Sequence, residues 1–341
     1  MMKCSVVILN WNGSAYLRRF LPVLIRCTAA EGVELVVADN ASTDDSLAVL
    51  EQEFPSVRRI VLDQNHGFAG GYNRALALVE ARYYVLLNSD VEVTDGWLDP
   101  LLAYLDAHDD VAAVQPKIRA YHRPTHFEHA GASGGYIDAL GYPFCRGRIL
   151  SVTEADENQY DTVRDIFWAT GACMVVRSEA YHQCGGLDDD FFAHMEEIDL
   201  CWRMLSRGYR IVAIPSSVVY HVGGGTLSSE SPHKTYLNFR NNLLMLYKNL
   251  PEVELKPVMQ IRWMLDLLAA LHLLLTGKAP NALSVLKARR DYRRMKPGFK
   301  AKRNDNLIHI RQHQLPGVYS GSILLAFYVK GKKKFSALWP G

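Results

Sequence analysis

The chain has 341 residues, 49% of them hydrophobic and 22% charged. That length can bury a large core with room for an appendage, and the balance is that of a soluble globular protein without repeats or low-complexity linkers. The net charge of +2 hides an asymmetry. From Lys278 onward 15 Lys and Arg stand against 2 acids, a net of +13, which leaves −11 on the preceding residues. Such a tail would face something anionic, nucleic acid or a phospholipid surface, or else be a solvated charged face.

Elements alternate along the first half. "SVVILN" (5–10) reads as a strand, since the apolar stretch is too short for a secretory segment. Helical spacing follows over 14–27 despite Pro22, then a strand over 33–40 and a helix over 42–54 that Ser42 or Thr43 would cap. A third strand (58–65), a helix (70–81) and a fourth strand (83–88) complete the run. Strands rich in Val, Ile and Leu, joined through helices, predict an α/β fold with a parallel, doubly wound sheet covered on both faces. The stretch 110–225 is less regular, with a strand turning into a short helix (165–181), an amphipathic helix (195–209), and a strand entering a glycine-rich loop (210–226). After 236 come two apolar helical runs and the basic clusters 287–296 and 330–334. Arg262, Asp266 and His272 interrupt the second run, so it falls short of a bilayer span and fits a helix at an interface or packed on the domain. The six cysteines are scattered without a Cys-x-x-Cys pair and read as reduced and structural, not as zinc ligands.

In a doubly wound sheet, ligands bind beyond the carboxyl ends of the strands. Here those ends are "NWNG", "ADNASTDD", "DQNHGFAGGYN" and "NSDVEV", polar in all four cases. Asp39 can accept from a donor such as a pyrimidine N3–H, or form an Asx-type cap. Gly67, Gly70 and Gly71 precede a helix whose N-terminus suits phosphate, although their spacing matches no nucleotide fingerprint and is also common turn chemistry. Asp90 suits a Mg2+ or Mn2+ ion bridging a diphosphate, because these ions need only one or two carboxylates beside phosphate oxygens; otherwise it is a turn residue. Glu92 would support it or face solvent. Glu196, Asp199 and Arg203 share a helical stripe from which Glu197 points about 100° away. Dipole complementarity alone favours acids there, but the apolar "LDDDFFAHM" argues for an enclosed site where a carboxylate has a raised pKa and serves as general base. His221, at the end of an apolar strand, is structural or completes a metal or phosphate site.

Taken together, "VVILNWNG", "VVADNASTDDS", "NHGFAGGYN", "LLNSDVEV", "GACMVVRSEAY" and "FFAHMEEIDLCWRMLSRGYRIVAIPSSVVYH" make residues 4–245 resemble family 2 glycosyltransferases of the GT-A fold. The likeness is greatest to the bacterial rhamnosyltransferase-like group that builds O-antigen and other surface polysaccharides. The resemblance implies a Rossmann-like, mostly parallel sheet in a domain over 1–245, with a nucleotide-sugar half to about 115 and an acceptor half from about 116. Residues 246–341 would be a helical, basic C-terminal extension. Asn10 and Trp11 would lie beside the base, Asp39 would accept from it, and Asn65 with Gly67, Gly70 and Gly71 would line the ribose and diphosphate. Asn88 and Asp90 match the family's Asp-x-Asp motif, with Asn88 replacing the first acid and His221 a second ligand to Mn2+ or Mg2+. Glu197 stands where the family's base aspartate usually stands, which leaves Glu197 and Glu196 both open for that role, near Asp199. Trp168, Thr170 and Gly171 would form part of the acceptor side. The implied activity is inverting transfer of a sugar, from dTDP-rhamnose or a UDP-sugar, to a glycan or polyprenyl-diphosphate-linked acceptor. It would take place in the cytoplasm, peripherally at the inner face of the membrane, with the basic tail on anionic lipid. Two other classes are a non-catalytic nucleotide-sugar or glycan-binding module, which would lose the base, and a nucleotidyltransferase, which would want a Lys or Arg in the first glycine loop. Beyond the tail's charge, no motif supports a nucleic-acid partner.

Overall fold

A computed structural model describes residues 2–223 and 231–339. The elements run β1 (Met2–Asn10), α1 (Ser14–Thr28), β2 (Val33–Asp39), α2 (Ser46–Gln52), β3 (Arg58–Val61), α3 (Gly67–Leu76), β4 (Ala81–Asn88), β5 (Val91–Val93), α4 (Asp99–Ala107), β6 (Val111–Ala120) and β7 (Arg123–Phe127). Short strands β8 (Gly135–Asp138), β9 (Pro143–Cys145), β10 (Arg148–Ile149), β11 (Val152–Thr153) and β12 (Arg164–Asp165) lead to β13 (Cys173–Arg177), α5 (Ser178–Gln183), α6 (Glu196–Ser206) and β14 (Arg210–His221). Helices α7 (Pro232–Asn249), α8 (Glu252–Leu275), α9 (Ala279–Met295) and α10 (Lys300–Ile308) follow, then β15 (Val318–Tyr319).

The main sheet has the order β12-β14-β6-β13-β4-β1-β2-β3. Strands β1–β4 pair in parallel, as predicted from the strand-helix alternation, with Asn10 beside Asp39 and Leu9 beside Asn88. The sheet as a whole is mixed, its parallel part being β1–β4 together with the β6–β14 pair. β13 runs antiparallel between β4 and β6, and β5, β7 and β12 pair antiparallel at the margins. Both faces are covered, because alternate residues enter different cores. Val6 and Ile8 of β1 and Val85 and Leu87 of β4 lie in one cluster, and Val7 and Leu86 in the other.

Local differences from the sequence reading have physical causes. α2 begins at Ser46, since Asp39, Ser42 and Thr43 are drawn into bonds between loops rather than capping a helix. α3 starts at Gly67 instead of 70, because the loop carbonyl of Phe192 takes up its first N–H groups. All six cysteines are free, and five are buried. The glycine-rich turn at Gly224, Gly225 and Thr226 falls outside the described residues.

The boundary expected at 245/246 falls inside α7. Beyond it the chain returns to the earlier part: β15 pairs with β8, and Phe335 packs on Tyr136 and Tyr160. α8, 24 residues long, is long and apolar enough to cross a membrane by length and composition, which corrects the expectation that it falls short. Two of its charged residues are turned inward, while Glu252, Glu254 and Lys256 in its first turns are exposed. Asp266 is fully buried against Arg289, and Arg262 is buried against Asn242 and the Leu140 carbonyl.

Candidate active site

The carboxyl ends of β1, β2 and β4 meet at one edge. There the loops after β1 and β2 are laced together. Asn10 Nδ2 donates to Asp39 Oδ1 (3.1 Å) and to Ser42 Oγ (3.2 Å), while the Ser42 N–H donates to Asp39 Oδ2 (2.9 Å). Asn12 Oδ1 accepts from the Thr43 N–H (2.7 Å). Asp39 therefore acts within the protein as an Asx-type acceptor, buried with both oxygens engaged, where a direct contact to a base was one of two expectations. Asn10 Oδ1 is buried without a partner, an acceptor left over at the strand end. Trp11 stands beside it with 42% of its surface exposed.

The third loop is braced in the same way. Asn65 Oδ1 accepts from the Gly67 N–H (2.8 Å) and from Asn40 Nδ2 (3.1 Å). Gly67 has φ +71°, and a Cβ on it would meet the Phe192 carbonyl oxygen at 2.5 Å, so glycine is required there. The N–H groups of Phe68 (2.6 Å) and Ala69 (3.1 Å) donate to that carbonyl. These first amides of α3, expected to face phosphate, hold the loop before α6 instead.

At the end of β4, Asp90 and His221 come together because β14 pairs antiparallel with β5, setting His221 opposite Val91. Asp90 Oδ1 lies 3.1 Å from His221 Nε2, and Glu128 Oε2 lies 3.2 Å from His221 Nδ1, although the latter contact is not aligned as a hydrogen bond. Burial disfavours the imidazolium, but the two carboxylates outweigh it and push His221 up to about 10. In turn, His221 holds Asp90 and Glu128 below their usual range against the opposing effect of burial. Glu128 was not legible as a site residue, since no motif marks the irregular stretch that carries it.

Asp90 and His221 are one hard oxygen donor and one imidazole. No group of three His, Cys, Asp or Glu able to hold a metal occurs among the described residues. This donor set fits a divalent cation that takes its other ligands from phosphate oxygens and water, and it does not fit a closed structural site.

Two residues connect that corner to the acidic helix. The Asn88 N–H donates to the Ala172 carbonyl (3.0 Å), and the adjacent Gly171 lies against Phe68 and the Glu197 side chain. Trp168 and Thr170 are committed to the core. The Trp168 indole N–H donates to the Tyr136 carbonyl (2.9 Å), and the Thr170 N–H donates to Gln115 Oε1 (3.0 Å).

Glu196 and Glu197 each have a buried Oε2 without a partner. Burial raises both pKa values. The charges of Glu197 and Asp199 drive Glu196 well above the usual range, whereas backbone N–H groups, including those of Ile198 and Gly171, restrain the rise at Glu197. Asp199 is differently placed. It is fully buried and accepts from Arg203 (3.0 Å), Lys248 (2.7 Å) and Asn249 (2.7 Å), so its carboxylate anchors α6 to α7 and is not available as a base.

The segment entering α6 is strained, with Phe192, His194 and Met195 all at φ between +66° and +74°. A clamp that the sequence reading missed holds it there. Asn241 Nδ2 lies within 2.9 Å of the carbonyls of Phe191, Ala193 and His194, and Arg240 donates to Asn241 Oδ1 (2.8 Å) and to the Phe191 carbonyl (3.0 Å). An Arg-Asn pair in an amphipathic helix carries no local signal of such a task. Asn241→Ala is expected to destabilise the fold by about 2–3 kcal/mol, because buried carbonyls lose their donor. It should also lower kcat more than it raises donor KM. Thermal melting with steady-state kinetics checks both.

A cleft of about 420 Å³ lined by Asp110, Arg207, Tyr209 and Arg311 opens near the amino-terminal starts of β6 and β14, away from these groups. It contains none of the site residues.

The model of Glycosyl transferase family 2 matches residues 5–185, ending before α6. An N-acetylglucosaminyl-diphospho-decaprenol L-rhamnosyltransferase of Mycobacterium tuberculosis is 28% identical over 232 residues, covering 63% of this chain and 75% of that protein. The O-antigen biosynthesis protein RfbC of Myxococcus xanthus is 26% identical over 241 residues, covering 69% of this chain but 18% of its own length. Among solved structures, GalNAc-T7 with UDP, GalNAc and Mn2+ superposes with a TM-score of 0.58 at 16% identity, covering 73% of this chain and 48% of that one. Staphylococcus aureus TarS 1-349 in complex with UDP gives 0.53 at 18% identity, covering 89% of both chains. At these identities the structural likeness speaks for the fold, which is GT-A.

Proposed function

Because the chain belongs to glycosyl transferase family 2, we propose that this glycosyltransferase moves a sugar, with inversion, from a pyrimidine nucleoside diphosphate to a lipid-linked glycan acceptor. The observation that carries the reading is the pair of glutamates at the start of α6, each with a buried, unpartnered Oε2, tied through Gly171 and Ala172 to the strand end that bears Asp90. A relative named for a diphospho-decaprenol acceptor and one named for O-antigen biosynthesis support the acceptor class, and with such an acceptor the work would take place at the cytoplasmic face of a membrane. A rhamnosyltransferase among these relatives supports rhamnose as the sugar moved, and we take dTDP-rhamnose as first choice of donor, with UDP-sugars next.

In this reading the nucleoside lies at the edge formed by Asn10, Trp11 and Asp39. The exposed indole offers a stacking face, and the orphaned Asn10 Oδ1 accepts an N–H. Asn65 and the Gly67–Gly71 turn shape the wall beside the ribose and diphosphate. Asp90 and His221 would hold a Mn2+ or Mg2+ ion, which supplies charge neutralisation for the departing diphosphate. To serve as a ligand His221 would have to be neutral at Nε2, the atom now shared with Asp90 Oδ1.

Glu197 takes the proton from the acceptor hydroxyl, whose oxygen then attacks the anomeric carbon opposite the leaving group. Glu196 remains protonated beside it, since two neighbouring buried carboxylates resist ionising together. We read residues 1–115 as the donor half, 116–245 as the acceptor half and the remainder as an extension.

A thermal-shift screen with dTDP-, UDP- and GDP-sugars in the presence of Mn2+, followed by a transfer assay, tests the reading. Stabilisation by the dTDP- or UDP-linked donors, with Mn2+-dependent release of nucleoside diphosphate, is expected. Binding without any turnover would favour a non-catalytic module, and no binding of any donor would refute the proposal.

A further inference from the structure

We infer that the α8–α9 hairpin tip is a membrane-insertion surface that seats the protein in an anionic bilayer interface without spanning it. The inference rests on the proposed lipid-linked acceptor for its purpose, and on the shape and charge of this hairpin for its argument.

The two helices join at 276–278, and large apolar side chains are exposed on both near that join. On α8, Ile261, Met264, Leu268, Leu271 and Leu275 follow one another at spacings of three and four, so they form a single stripe. They are 41%, 55%, 58%, 50% and 78% exposed, and Leu283 of α9 adds 67%. Five large apolar side chains exposed along one ridge, with Leu283 on the next helix, exceed the scattered exposure usual on a soluble surface.

Charge decides what covers them. From Leu255 to Arg290 the sequence holds a single acid, Asp266, and that residue is buried against Arg289. Lys287, Arg290 and Arg294 are exposed on α9 beyond its apolar first turns, at the end away from the tip. The turn at the tip carries one exposed cation, Lys278, whose long stem can reach headgroups, and the other cations stand behind the apolar side chains, a layering that suits acyl chains beneath anionic headgroups. A second copy of the chain would present the same cations to these.

Spanning is opposed by the other face of α8. Arg262 and Asp266 are locked to Arg289, Asn242 and the Leu140 carbonyl, and crossing a bilayer would tear that network from the domain. The mode of attachment therefore differs from the one expected of the basic tail, because apolar insertion carries the binding and the cations add to it.

Flotation of the full chain with vesicles of 30% phosphatidylglycerol in phosphatidylcholine, at 0.1 and 0.5 M NaCl, tests the inference. The protein should float, and part of the binding should survive high salt. Leu271→Glu/Leu275→Glu should lower partitioning by about tenfold or more, and Lys287→Gln/Arg290→Gln should weaken it only on the anionic vesicles. Both variants should keep their melting temperature and their turnover of a water-soluble acceptor. The inference is overturned if the Leu variant floats like the wild type, if binding vanishes entirely at 0.5 M NaCl, or if the protein ignores vesicles and elutes as a dimer that the Leu variant converts to monomer. Loss of all transfer activity in a protein that still floats would strike the catalytic reading and leave this one standing.

Discussion

Glu197→Gln should lower sugar transfer by about 10²–10⁴-fold, the usual contribution of a positioned base, while donor affinity by calorimetry stays within about twofold. The substitution keeps the size and hydrogen-bonding reach of the side chain, and the Glu197 Oε2 has no protein partner to lose. The comparison with Glu196→Gln separates the two neighbours. Glu196 lies deeper, and burial, with the charge of Glu197, drives its pKa well above the ordinary carboxylate range, which favours its neutral form and suits it less well to accept the proton. Its amide variant should keep most of the activity. The reverse pattern would move the base to Glu196.

The same pair fixes the sign of two pH effects. A base with a raised pKa is lost as pH falls through that value, so kcat should show an acid limb above the usual range for glutamate, absent from the residual rate of Glu197→Gln. Stability runs the other way. A carboxyl whose folded pKa is raised favours folding most below its unfolded pKa, and that contribution is lost as pH rises through the folded one. Glu196→Gln should therefore raise Tm at pH 8 by a few degrees and raise it less at pH 5. A Tm gain independent of pH would show that Glu196 is not held neutral.

Asp90→Asn should reduce transfer by about 10³-fold, corresponding to the roughly 4 kcal/mol of leaving-group stabilisation in the range assigned to a bound cation. Here the loss should be accompanied by loss of donor binding, unlike at Glu197. In the wild type, Mn2+ with UDP or dTDP should raise Tm, and EDTA should abolish the increment. In Asp90→Asn the increment should be absent with or without chelator. The substitution also removes one of the two charges that hold His221 protonated, so a few degrees of Tm loss in the free protein are expected and do not count as evidence of metal binding. Retained Mn2+-dependent stabilisation in the variant would take Asp90 out of the cation site.

Periodicity made the first half of the fold legible. Buried strands with alternate residues in two cores left the Val-rich runs of β1, β2 and β4, and polar residues at their ends marked the sheet edge that gathers Asn10, Asp39 and Asn88. What could not be read is what depends on pairing at long range. β13 enters antiparallel between β4 and β6, and nothing within "CMVVR" encodes that direction. Glu128 reaches His221 across 93 residues, and Asn241 reaches the loop before α6 across about 50. Acidic residues alone did not distinguish roles either. Asp199 and Glu197 are two positions apart, yet Lys248 and Arg203 saturate one while the other keeps an unpartnered oxygen. Trp168 and Thr170 sit in a suggestive motif but spend their polar atoms on the core. In α8 two of the three residues that interrupt the apolar run, Arg262 and Asp266, are buried while His272 is exposed, a matter of which face packs.

The central claim is that the strand end at Asp90 and His221 holds the diphosphate of a sugar nucleotide through a divalent cation. Anomalous diffraction from crystals soaked with MnCl2 and either UDP or dTDP tests it most directly. The account predicts a manganese peak within coordination distance of an Asp90 carboxylate oxygen, with the diphosphate beside it and the base near Trp11. A nucleotide bound elsewhere, or a manganese peak remote from Asp90, would contradict it.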